Sequence, residues 1–186
     1  PSFHQISDKE WDAIIAYFKH ADGETVNYRS AHQFDIAGNK FEAGEKIHEL
    51  GQCNSCHFYG KVFPTGDAPT WAPNLALTKE RLNPEWVTEW LKNPQAIMPG
   101  TKMPAPYIPD SEILSMEGAE DDWGSALVAL DGDTTDMLNG LRDYLWNIQG
   151  DVNIDALIKN YFLENGYDFD NICLLYTSDA ADDELG

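Results

Sequence analysis

Cys53-Asn54-Ser55-Cys56-His57 decides the reading of this chain. The C-x-x-C-H spacing lets two thiols reach one edge of a planar macrocycle and close thioether bonds to haem vinyl groups. The histidine directly after Cys56 is then held beneath the ring, with an imidazole nitrogen for iron. Two other chemistries use paired cysteines. A structural zinc site takes four ligands, and no second C-x-x-C and no H-x3-5-H pair follows. A thioredoxin-like redox pair stands between a strand and a helix, whereas here helical spacing precedes the motif and a turn-rich loop follows it.

Working outward, Lys40 to Leu50 carries Phe41, Gly44, Ile47 and Leu50 at helical spacing and predicts a helix running straight into Cys53. Beyond His57, Gly60, Pro64, Gly66, Pro69 and Pro73 break any regular element as far as Leu82. Asn83-Pro84-Glu85 opens a helix with a cap followed by proline at the first turn, and Pro94 closes it. Trp86, Trp90 and Leu91 share the side expected to be buried. Pro94 to Pro109 holds five prolines and two methionines and predicts an extended, ordered strap. After an acidic stretch, Thr134 or Thr135 is expected to cap a last strong helix with Leu138, Leu141, Tyr144, Leu145 and Ile148 on its apolar face, ended by Gly150. Upstream, Trp11, Ile14, Ile15 and Phe18 share one helix face, and Ser7 with Glu10 forms a capping box. No alternating strand pattern occurs, so the fold class expected is all-α.

In this order the elements of residues 38 to 150 resemble a class I cytochrome c domain. The resemblance implies a cytochrome c fold, helices wrapped around one covalently bound haem c. Asn93-Pro94-Gln95-Ala96-Ile97-Met98-Pro99-Gly100-Thr101-Lys102-Met103-Pro104 is similar to the family's distal loop and implies Met103 as the second axial ligand beside His57. Met98 lies before the Pro-Gly turn and is read as loop packing. Ala72-Pro73-Asn74-Leu75 resembles the family's Gly-Pro-Asn-Leu segment, in which the proline carbonyl accepts the proximal histidine's other N–H. That role falls to Pro73, with Ala72 departing from the family's glycine. Gly44 matches the small residue at which the terminal helices cross, and Tyr144 is the aromatic expected against it. His48 stands where the family has an aromatic and reads as a partly exposed helix residue. Trp90 and Arg81 are candidate contacts for the haem propionates, Trp90 serving equally as a core aromatic.

Both ends look borrowed. Residues 1–22 resemble the final helix of a preceding cytochrome c-like domain, 23–37 read as linker, and 151–172 as an extra helical segment of unknown role. Cys173-Leu174-Leu175-Tyr176-Thr177-Ser178-Asp179-Ala180-Ala181-Asp182 resembles a translated sequencing adaptor, so residues 173–186 are expected to be non-native.

Twelve basic against thirty-two acidic residues give a net charge of -20, which excludes nucleic acid as a partner, because phosphate binding needs a cationic face. Redox partner proteins with a basic docking face fit instead. The acidic segment from Tyr107 to Asp133 reads as a surface loop. No stretch reaches the ~18 apolar residues of a membrane span. The resemblance implies a periplasmic or other extracytoplasmic location, with any membrane anchor in a segment outside this chain. Iron closed by His57 and Met103 favours single-electron transfer in a respiratory or other redox chain; the alternative is a domain of a dihaem peroxidase-like enzyme.

Overall fold

A computed structural model of the chain describes residues 7–21 and 33–166. The chain divides into two units, Pro1–Gln33 and Phe34–Gly186. The tail from 173 onward and residues 23–32 of the expected linker lie outside the described residues.

The first unit contributes one helix, α1 (Asp8–Ala21). It begins directly after Ser7, whose N–H and hydroxyl both donate to the Glu10 carboxylate at 2.8 and 2.6 Å. Those two hydrogen bonds hold the Glu10 pKa below the usual carboxylate value.

The second unit runs α2 (Asn39–Leu50), α3 (Thr78–Arg81), α4 (Pro84–Lys92), α5 (Pro94–Ile97), α6 (Ser111–Leu114), α7 (Ala119–Trp123), α8 (Ser125–Ala129), α9 (Thr134–Asn147) and α10 (Asp155–Glu164). Among the described residues there is no sheet, only the two isolated bridges His57 with Ala72 and Tyr59 with Val62. The described fold is all-α.

Helices α2 and α9 cross with their backbones almost touching. A Cβ built on Gly44 would lie 2.1 Å from the carbonyl carbon of Gly140, and one on Gly140 would lie 1.9 Å from the Lys40 carbonyl oxygen. Gly44 therefore meets Gly140. Tyr144, expected at that crossing, lies one turn on against Phe41 and His48. Around the crossing Ile47, Leu127, Met137 and Leu141 are fully buried, each worth roughly 1.5–3 kcal/mol of apolar transfer.

Four local expectations change. Helix α4 buries Val87 and Leu91, leaving Trp86 40% exposed, because α9 packs on the Val87 side. Proline starts α5 where a plain strap was expected: Pro94 occupies the first helical position, which needs no N–H, and the Asn93 side chain accepts from Ala96 N–H. The acidic segment folds as α6, α7 and α8 rather than as a surface loop, since Leu114, Ala119, Ala126 and Leu127 are buried. Asp133, not a threonine, caps α9, accepting from Asp136 N–H at 2.9 Å.

Candidate functional site

Helix α2 delivers the C-x-x-C-H motif. Its last turn closes with Gly51 N–H on the Ile47 carbonyl at 2.8 Å, and Gln52 then turns left-handed at φ 49°. A non-glycine residue there stores roughly 1–2 kcal/mol of backbone strain. The reversal leads into a 3-10 turn, Cys53–Ser55, with His57 N–H on the Cys53 carbonyl at 2.9 Å. Both thiols are free and half-buried. Burial pushes the Cys53 thiol up to about 11, so it is protonated at neutral pH, the opposite of the depressed thiolate that drives disulfide exchange.

His57 is fixed from the segment that carries Pro73. Ala72 N–H donates to the Cys56 carbonyl at 2.8 Å, Leu75 N–H to the Phe58 carbonyl at 2.9 Å, and the two stretches meet in a parallel bridge. Ala72 keeps a negative φ, so this turn has no need of glycine. His57 Nδ1 lies 2.7 Å from the Pro73 carbonyl oxygen. A carbonyl oxygen carries no proton, so Nδ1–H is the donor and the neutral ring presents a bare Nε2 lone pair. Burial holds the His57 pKa below its ordinary value, against the opposing pull of the Pro73 hydrogen bond, which keeps that neutral form.

Asn74, which sequence reasoning passed over, ties the loop to itself. Its amide oxygen accepts from Gly60 N–H at 2.9 Å and Ala76 N–H at 3.1 Å, while its amide nitrogen donates to the Gly60 carbonyl at 3.0 Å. Asn74→Ala leaves both Gly60 polar groups buried and unpaired. It is expected to cost about 2–3 kcal/mol, read as a lowered urea midpoint with unchanged slope. A loss under ~0.5 kcal/mol contradicts this role.

The strap places the two methionines differently. Met98 is 58% exposed in the loop, whereas Met103 is part-buried against the core. Trp90 Nε1–H donates to the Met103 sulfur at 2.9 Å and so orients the thioether. Arg81 is exposed at the end of α3. His57 is thus joined to Pro73, and Trp90 to Met103, but no contact links Arg81 to either pair. His48 is half-buried and hydrogen-bonded to the Tyr59 hydroxyl. Burial pushes the His48 imidazole down to about 4, with a smaller contribution from His57 where acid protonates that ring. Among the described residues no group of three or more His, Cys, Asp and Glu side chains is placed to hold a metal ion, and no helix is long and apolar enough to cross a membrane.

No family model matches the chain. Over 99 residues, 48% of this chain, it is 36% identical to cytochrome c oxidase subunit 2 of Bacillus subtilis (strain 168), and it spans about a quarter, 27%, of that protein's length.

Proposed function

We propose that this chain carries one haem c on Cys53 and Cys56, with His57 and Met103 as axial ligands, and that it passes single electrons within an extracytoplasmic respiratory assembly. The observation that carries the reading is the His57 Nδ1–H to Pro73 hydrogen bond at the exit of the C-x-x-C-H turn, which leaves Nε2 as the free donor. The donor set fits the group: two free thiols suited to thioether formation, that of Cys53 kept protonated by burial, one neutral imidazole and one oriented thioether. Bound there, the haem supplies a one-electron iron couple with no open coordination position.

The chain's own part is rigidity. Pro73 fixes the imidazole plane, Trp90 holds the Met103 sulfur through one of its two lone pairs, and Asn74 stiffens the loop that joins His57 to Pro73. The similarity to an oxidase subunit supports a respiratory setting, and the net charge of -20 suits a partner with a basic docking face.

Expression with a c-type maturation system tests the reading. The expected product gains the mass of one haem and, when oxidised, shows a weak absorption band near the red edge that disappears in Met103→Ala. A colourless chain with two titratable thiols at Cys53 and Cys56 ends it.

A further inference from the structure

Helix α10 lies beyond the last element that the family resemblance requires, yet it docks on the loop that orients His57. Tyr161 packs on Trp71 with ring centroids 4.8 Å apart and on Phe63 at 5.6 Å, and Phe162 packs on Trp71 at 5.7 Å. Trp71, Phe63 and Phe58 form an edge-to-face triangle with centroids 5.1 to 5.3 Å apart. Phe58 is the residue after His57 and is 2% exposed; Trp71 stands two residues before Pro73 and donates its Nε1–H to the Gly66 carbonyl at 2.9 Å. The aromatic cluster therefore grips both strands of the His57–Pro73 hydrogen bond.

The chain leading into α10 adds two attachments to the same loop. Gly150 backs onto Gly60 so closely that a Cβ on Gly150 would sit 2.6 Å from the Gly60 Cα, and Lys61 pairs with Asp151 at 2.7 Å. Within the loop the rings of Phe58, Phe63 and Trp71 meet edge to face, a preferred geometry, and the rings of Tyr161 and Phe162 pack on that triangle at tilted angles; such aromatic pairs contribute beyond their buried area.

We infer that α10 is a clamp on the proximal side of the site, with Tyr161 and Phe162 acting as positioning residues that fix the His57 imidazole through Trp71 and Phe58. The inference rests on the haem reading for its functional consequence, but the clamp itself is a property of the polypeptide and is testable without haem.

The test uses the full chain carrying Tyr161→Ala with Phe162→Ala, compared with Tyr161→Phe, which keeps the ring. In the haem-free chain, amide hydrogen exchange across 58–75 is expected to quicken at least about tenfold in the double variant, with Ala72 and Leu75 most affected and α2 and α9 unchanged. In the haem-loaded chain the midpoint potential is expected to move in the double variant and to stay in place in Tyr161→Phe. Unchanged exchange across 58–75, or equal loosening of α2 and α9, overturns the clamp. A loosened loop with an unmoved potential overturns the positioning role. Failure to load haem, with the exchange result intact, counts against the haem reading alone.

Discussion

Gly140→Ala is expected to lower the unfolding free energy by more than about 4 kcal/mol and to leave little native chain at 37 °C. An exposed helix interior normally gains ~1 kcal/mol from the same change, because alanine is the better helix former, so the prediction reverses the usual sign. The reason is geometric. The new methyl would lie 1.9 Å from the Lys40 carbonyl oxygen, and the neighbour is backbone of α2, which cannot rotate away as a side chain would. Relief requires the helices to part, which opens the core at Ile47, Met137 and Leu141 and forfeits close packing on both sides. Gly44→Ala meets the Gly140 carbonyl at 2.1 Å and is expected to behave alike. Gly118→Ala is the control: its φ of +84° imposes strain of roughly 1 kcal/mol, with nothing within 4 Å of the added carbon. Urea unfolding followed by far-ultraviolet circular dichroism reads all three, and a Gly140→Ala chain as stable as Gly118→Ala contradicts the crossing described above.

Asp143→Ala is expected to cost about 3–5 kcal/mol. The Asp143 side chain takes Arg142 Nε and Nη2 at 2.7 Å each and the Asp35 N–H at 2.9 Å, and both ionic residues are buried, 3% exposed for Asp143 and 7% for Arg142. Without the carboxylate the guanidinium keeps only neutral partners, Asn139 at 2.9 Å and Thr88 at 3.4 Å, in a place water does not reach. A buried charge without its counter-charge is what makes the single deletion expensive; removing both charges together, as Arg142→Met with Asp143→Leu, is expected to cost less than Asp143→Ala alone. The same change frees the segment at Asp35, where Phe34 stacks on Trp146 at 5.2 Å beneath the Arg142 guanidinium. Thermal unfolding of the single and double variants decides it, the reverse order of stabilities being the result that sinks the argument.

What the sequence made legible is what local chemistry determines. Asn83 before Pro84 announces α4, the spacing from Phe41 to Leu50 announces α2, and the glycines and prolines after His57 announce a loop, because each signal acts within a few residues of itself. The segment Ala72-Pro73-Asn74-Leu75 likewise carried a signal for its approach to His57. Features set by distant partners were not legible. Whether Val87 or Trp86 faces inward depends on where α9 lies, and whether Gly44 meets Gly140 or Tyr144 depends on the angle at which the helices cross. Helices α6 to α8, four or five residues each, are too short to form by propensity and exist because Leu114, Ala126 and Leu127 are held by the core. The proximal cluster was missed for the same cause, since Trp71 and Tyr161 are brought together only by the finished fold.

Lys40 and Asp136 pair across 96 residues of chain, at the same crossing that joins the two glycines. During synthesis α2 and the thiols at Cys53 and Cys56 therefore emerge well before the helix that completes their hydrophobic surroundings, and closure of so long a loop comes late. The nascent chain passes through an interval in which both cysteines lie on an open, unfolded segment. If haem is attached to these thiols as proposed, the enzyme that attaches it would meet them while that segment is open rather than in the finished, half-buried turn.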